Sequence, residues 1–292
     1  MIKDGYLKFG PYQTYYRIAG APSDKTPLLL LHGGPGSTHN YFEVFDELAN
    51  QDQRQIIMYD QLGCGLSSIP DDHSVYQAAT WLAELESVRQ ALNLKELHLL
   101  GQSWGGMLAI MYLCDKKPAG IKSLILSSTL SNAQLWGHEQ HRLISLMTPA
   151  DQAVIAHAEA TNNFKSPEYL QVYERFMALH AAAPVTDDDP EFLRRPKKVG
   201  TLAYETAWGP NEFTPTGNLK DYDYTDQLRN LTTPTLITNG TNDLCTPLVA
   251  KTMYDALPNA KWELFDGTRH MSFIEKPQAY RDLLQTWLNE ND

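Results

Sequence analysis

The amino-acid sequence predicts an α/β fold, a mostly parallel central sheet with helices on both faces, interrupted by an inserted helical segment. Two patterns carry the prediction. Short apolar runs of strand length alternate with longer amphipathic stretches in the first and last parts of the chain. Between them lie about a hundred residues with no strand-like run, the size of a small domain. A third observation sets the scale. With 292 residues, 42% hydrophobic, 10% aromatic and 20% charged, the chain can bury a large core and is not globally disordered.

Residues 6–9 and 13–18 alternate polar and apolar about Gly10-Pro11, as a hairpin does. The all-leucine run 28–31 reads as a buried strand, and Tyr41, Phe42, Phe45 and Leu48 follow at helical spacing. Residues 55–59 form the next strand. Trp81, Leu82, Leu85, Val88 and Leu92 mark an amphipathic helix, with Ser74 ahead of it as candidate cap. A strand at 97–100, a helix at 105–114 stopped by Lys116-Lys117-Pro118, and a strand at 124–127 complete the first part. In the insertion, 149–160 and 166–182 read as helices, the second with Ser166 as cap and Pro167 in its first turn. Strands at 235–238 and 262–265 and helices at 247–257 and 277–288 close the chain. The expected division is a core in two parts, 1–128 and 226–292, with 129–225 as a helical cap.

Charge narrows the function. Lys plus Arg number 24 and Asp plus Glu 35, a formal net charge of −11. Such a chain is repelled by phosphate backbones and anionic lipid, which argues against nucleic acid and membrane as partners. The N-terminus has no apolar signal region, and no apolar run approaches membrane-spanning length. Cys64, Cys114 and Cys245 are odd in number and widely spaced, as free thiols of a reducing compartment would be. A cytoplasmic protein is expected, with attachment to the cell envelope left open. The oligomeric state is left open too.

Gly101-Gln102-Ser103-Trp104-Gly105-Gly106 lies between a strand and a helix. It fits G-x-S-x-G, in which a serine occupies a tight strand-to-helix turn that a Cβ at the glycines would obstruct. The helix that follows aims its first N–H groups at the serine, where negative charge develops in acyl transfer. Ser103 is the candidate nucleophile. Its hydroxyl needs a base, and the base an orienting carboxylate, each on a loop after a later strand. Asp243 and His270 satisfy order and position. Asp266 is the rival acid, too near His270 in sequence to reach the far imidazole nitrogen, and residues 127–129 offer no carboxylate. His98 reads as a core histidine within a strand. His138, His141, His157 and His180 are expected on solvated helix faces.

His32-Gly33-Gly34-Pro35-Gly36 follows the 28–31 strand. Alone it is loop punctuation; beside a serine turn it supplies the second backbone donor of an oxyanion hole. Gly34 and Trp104 are the candidate donors. It lacks the Gly-Lys-Ser/Thr ending of a phosphate loop, and the histidines of His138-Glu139-Gln140-His141 are mis-spaced for a zinc helix. No metal and no organic cofactor are expected.

These motifs, with 60–65 (Asp-Gln-Leu-Gly-Cys-Gly), 208–213 (Trp-Gly-Pro-Asn-Glu-Phe) and 270–273 (His-Met-Ser-Phe), resemble proline iminopeptidases over nearly the whole chain, insertion included. These are serine peptidases of the α/β-hydrolase fold. The resemblance implies release of an N-terminal proline, or another residue, from short peptides. It also implies that Glu212 in the cap grips the substrate's free ammonium by a charge-assisted hydrogen bond, with Tyr204 as helper. Some members carry a second acid after the triad aspartate, where this chain has Leu244, so the second anchor is either absent or supplied elsewhere, with Glu205 as a candidate. Cys64 and Cys245 fall in motif segments, but a thiol nucleophile is unnecessary beside Ser103, and whether they border the site is left open. Two other readings stay open: an esterase or amino-acid amidase indifferent to a free amine, and a hydrolase-fold receptor for a small ligand.

Overall fold

The computed structural model describes all 292 residues. Strand β1 (Ile2–Phe9) turns back into antiparallel β2 (Tyr12–Ala19), a hairpin that begins four residues before the sequence alternation becomes clear. Then follow β3 (Leu28–Leu31), a 3-10 stretch (His39–Phe45) running into α1 (Asp46–Gln51), and β4 (Ile56–Tyr59). Helix α2 (Ala78–Ala91) leads to β5 (Leu97–Gln102), α3 (Trp104–Met111) and β6 (Ile121–Ser127). The next five elements are all helical: α4 (Ala133–Ile144), α5 (Pro149–Thr161), α6 (Pro167–His180), α7 (Glu191–Arg194) and α8 (Thr201–Ala207). The chain closes with β7 (Thr235–Gly240), α9 (Pro247–Ala256), β8 (Ala260–Phe265), α10 (Ser272–Glu275) and α11 (Pro277–Glu290).

The eight strands form one sheet in the order β1-β2-β4-β3-β5-β6-β7-β8, parallel from β4 to β8. The carboxyl ends of six strands therefore share one edge, where crossover sheets of this kind hold their ligands. Leu29 and Leu31 pack into one core, with Trp81, Leu99 and Leu108, while Leu28 and Leu30 pack into the other, with Phe42, Phe273 and Trp287. A strand covered on both faces has no polar side to show, which is why 28–31 is uniformly leucine.

Local chemistry sets the helix starts. Thr148, Ser166 and Thr246 each accept the N–H three residues on and are each followed by proline, whose fixed φ suits the first turn. Ser74 is not such a cap. It lies in a separate 3-10 turn whose start is capped by Asp72, and α2 begins after Gln77 with no side-chain cap. Helix α4 was hidden from the sequence because its buried stripe includes Gly137, Glu139 and Gln140.

Candidate active site

Ser103 stands between β5 and α3 at φ 54° and ψ −123°, a conformation costly for a residue with a Cβ. The surroundings enforce it. Ser103 N–H donates to the Ser127 carbonyl (3.0 Å), while the Ser103 carbonyl accepts Gly106 N–H (2.9 Å) and the Thr129 hydroxyl (2.6 Å). A Cβ on Gly101 would overlap the Gly105 carbonyl, and one on Gly105 would overlap that of Leu31. Backbone cannot yield as a flexible side chain does, so both positions require glycine for α3 to close on β3 and β5.

Asp243 and His270 project from the loops after β7 and β8. The His270 Nδ1–H donates to Asp243 Oδ1 at 2.6 Å. The buried carboxylate also accepts Cys245 N–H (2.8 Å) on Oδ1, and Gly240 N–H (3.1 Å) and the Ser128 hydroxyl (2.6 Å) on Oδ2. Four donors around one carboxylate hold it in one orientation. Asp266, the rival, lies exposed on the surface. Burial alone would lower the His270 pKa, but the charge and hydrogen bond of Asp243, joined by the charge of Glu212, raise it above the ordinary imidazole value. Ser103 and His270 line one cavity of about 480 Å³, without a direct hydrogen bond between them.

Gly34 lines the same cavity, Trp104 opens α3, and the backbone N–H of neither is engaged. The Gly33 N–H is occupied: it donates to Tyr41 Oη (2.6 Å), whose own proton goes to Gln102 Oε1 (2.9 Å). Glu212, on the chain between β6 and β7, lines the same cavity as Ser103 and His270. Tyr204 donates its hydroxyl to Glu212 Oε1 (2.8 Å), and the Trp136 indole N–H holds the Glu212 carbonyl (2.8 Å). Trp136 also stands edge-on to His270 at 6.0 Å. Desolvation raises the Glu212 pKa, opposed by the Tyr204 hydrogen bond and the His270 charge. Glu205 and Leu244 line the cavity as well, Glu205 from its exposed rim.

The position left open for the cysteines is now plain: Cys64 and Cys245 are fully buried and do not line the cavity. The Cys64 thiol donates to the Gln61 carbonyl (3.2 Å), and the Cys245 thiol to that of Thr129 (2.9 Å). His180 is half-buried, not fully solvated. As the last residue of α6 it offers its carbonyl to the N–H groups of His270 (3.1 Å) and Leu244 (3.3 Å), and its ring bonds the Asn242 carbonyl. Helix carbonyls left without intrahelical partners are here used to tie the triad loops. His138, His141 and His157 are exposed, as expected, and His98 is a core residue bonded to Ser123 and Asp292. The sequence reading missed Ser128, just past β6, whose hydroxyl donates to the Asp243 carboxylate. It also missed Tyr41, which has no motif to announce it.

No helix is long and apolar enough to cross a membrane. The family model described as alpha/beta hydrolase fold matches residues 26–277. A protein of Lactiplantibacillus plantarum named proline iminopeptidase is 63% identical over 287 residues, 98% of this chain and all of that one. Its namesake from Levilactobacillus brevis is 61% identical over the whole chain and 98% of its own. The crystal structure of a proline iminopeptidase from Mycobacterium smegmatis superposes with a TM-score of 0.88 at 30% identity, covering 99% of this chain and 98% of that one.

Proposed function

The chain belongs to the proline iminopeptidases, on the α/β-hydrolase fold, and from that premise we infer a serine aminopeptidase that releases N-terminal proline from short peptides. We assign Ser103, Asp243 and His270 as the triad and residues 129–225 as a cap inserted in the core. Ser103 Oγ attacks the prolyl carbonyl carbon as His270 Nε2 takes its proton, and Asp243 stabilises the imidazolium formed. The carbonyl oxygen becomes an oxyanion that accepts the N–H groups of Gly34 and Trp104. His270 then gives the proton to the departing amine nitrogen as the C–N bond breaks, leaving a prolyl ester on Ser103. Water enters by the same steps in reverse roles, and proline leaves.

The observation that carries this reading is the position of Glu212, on the wall of the cavity that Ser103 and His270 line, with Tyr204 occupying one carboxylate oxygen. The second oxygen is left to accept a substrate ammonium. A half-buried carboxylate facing the nucleophile favours a cationic N-terminus next to the scissile bond, and hence an exopeptidase. Peptides with a free N-terminus are the substrate class. The three free cysteines support a cytoplasmic location. The test is a panel of prolyl anilides with free and acetylated amines, run on the native enzyme and on Ser103→Ala. Free amines should turn over and acetylated ones should not, and Ser103→Ala should lose on the order of 10⁶ in kcat. Turnover by folded Ser103→Ala at a tenth of the native rate would refute the assignment.

A further inference from the structure

We propose that Gln61 is a positioning residue that holds both halves of the oxyanion hole in register, a role that rests on the assignment of Gly34 and Trp104 as its donors. In the sheet, β3 lies between β4 and β5, so the residues just past their carboxyl ends are neighbours. Gln61 follows β4, His32 follows β3, and Trp104 follows the serine turn after β5. All three side chains are buried, with Gln61 at the centre. Its backbone N–H donates to His32 Nε2 (3.0 Å), its Nε2 donates to the His32 carbonyl (2.9 Å), and its Oε1 accepts the Trp104 indole N–H (2.7 Å).

The His32 ring passes the constraint on. With Nε2 accepting from Gln61, its proton is on Nδ1, which donates to the Gly33 carbonyl at 2.9 Å. Ser37 N–H donates to the same oxygen at 3.2 Å. In a trans peptide the C=O and N–H point opposite ways, so pinning the Gly33 oxygen fixes the direction of the Gly34 N–H. Burial pushes the His32 pKa down to about 4, which keeps the ring neutral and Nε2 able to accept. On the other side, the grip on the indole fixes the first residue of α3, whose backbone N–H is the second donor. One residue thus bears on two peptide planes that have no bond to each other: its backbone N–H holds the His32 ring, and its side-chain amide links the His32 carbonyl to the Trp104 indole. Positioned donors matter most where charge develops, so the effect belongs to the transition state and not to substrate binding.

The test compares native enzyme, Gln61→Met and Trp104→Phe, which removes the indole N–H with part of the ring and keeps the backbone donor. Rates are normalised to the fraction of Ser103 labelled by a seryl reagent. Gln61→Met should lower kcat about 10- to 100-fold with KM within about threefold. Affinity for proline aldehyde, whose hemiacetal oxygen occupies the hole, should fall by the same factor, while affinity for the corresponding alcohol stays native. Trp104→Phe should show part of the same loss, and the two substitutions together less than the product of their effects. Native kcat and aldehyde affinity per labelled serine in both variants would overturn the role of Gln61 alone. A native enzyme that binds the aldehyde no better than the alcohol would overturn the oxyanion assignment beneath it.

Discussion

Ser103, His270 and Glu212 differ in how their surroundings use charge. His270 must be neutral to accept the Ser103 proton, yet Asp243 and Glu212 both favour its cation and outweigh burial. Activity should therefore fall on the acid side with a midpoint above about 6.5, the ordinary imidazole value. Removing the Glu212 charge withdraws one stabiliser of that cation, so Glu212→Gln should move the acid limb to lower pH. A neutral ester is the substrate to use, since it isolates His270 from any binding of an ammonium. An unmoved limb would mean that Glu212 and His270 are electrically independent. Ser103 and His270 were legible because each sits in a turn after a strand, in the order the chemistry needs, whereas Glu212 came only from the family resemblance. Ser128 and Tyr41 were not legible, because a hydroxyl that donates one hydrogen bond leaves no pattern in a sequence.

At the scale of elements, helix α6 matters beyond its packing. Its carboxyl end bonds the loops of both Asp243 and His270 through the His180 carbonyl, and the Arg269 guanidinium donates to the Ala178 carbonyl (2.8 Å) while pairing with Glu275 (2.9 Å). A charge-assisted bond of this kind contributes about 1.5–3 kcal/mol. Arg269→Met should therefore loosen the tie, costing about tenfold in kcat/KM and speeding proteolytic cleavage in the stretch after α6. Native kcat/KM in that variant would make α6 a lid with no hold on the triad. The start of α6 was readable from Ser166 and Pro167, since capping is local chemistry. Its end was not. His180 was expected in solvent because a helical periodicity says which face is apolar but not which loops of other elements arrive at its last turn. Ser74 misled for the converse reason, a capping residue at a turn of its own.

The whole molecule separates stability from chemistry along the strand direction. At the amino ends of the strands, buried Arg54 joins Asp52 (2.8 Å) and Asp292 (2.7 Å), and His98 also reaches Asp292. Burial would raise the Asp292 carboxyl, but the Arg54 hydrogen bonds and charge hold it well below the usual range. Such a group stabilises the fold fully above its unfolded pKa, near 3.9, and the contribution is lost as pH falls through the lower folded value. At the carboxyl ends lie the triad, the oxyanion turns and the cavity. The fold was legible as a whole because strands covered on both faces are uniformly apolar and the insertion breaks the alternation. What the core motifs alone do not give is the substrate, and the reading proposed for it rests on Glu212, which the segment between β6 and β7 carries to the wall of the cavity that Ser103 lines.

That division makes one measurement decisive: kcat/KM of Glu212→Gln on a free-amine prolyl anilide against a small neutral ester. The neutral ester needs only Ser103, Asp243, His270 and the two backbone donors, so its hydrolysis should stay near native at a pH above the acid limb. The anilide loses one charge-assisted hydrogen bond and should fall roughly ten- to a hundred-fold. An equal loss on both substrates would make Glu212 a structural residue and contradict the recognition of a free N-terminus by the cap.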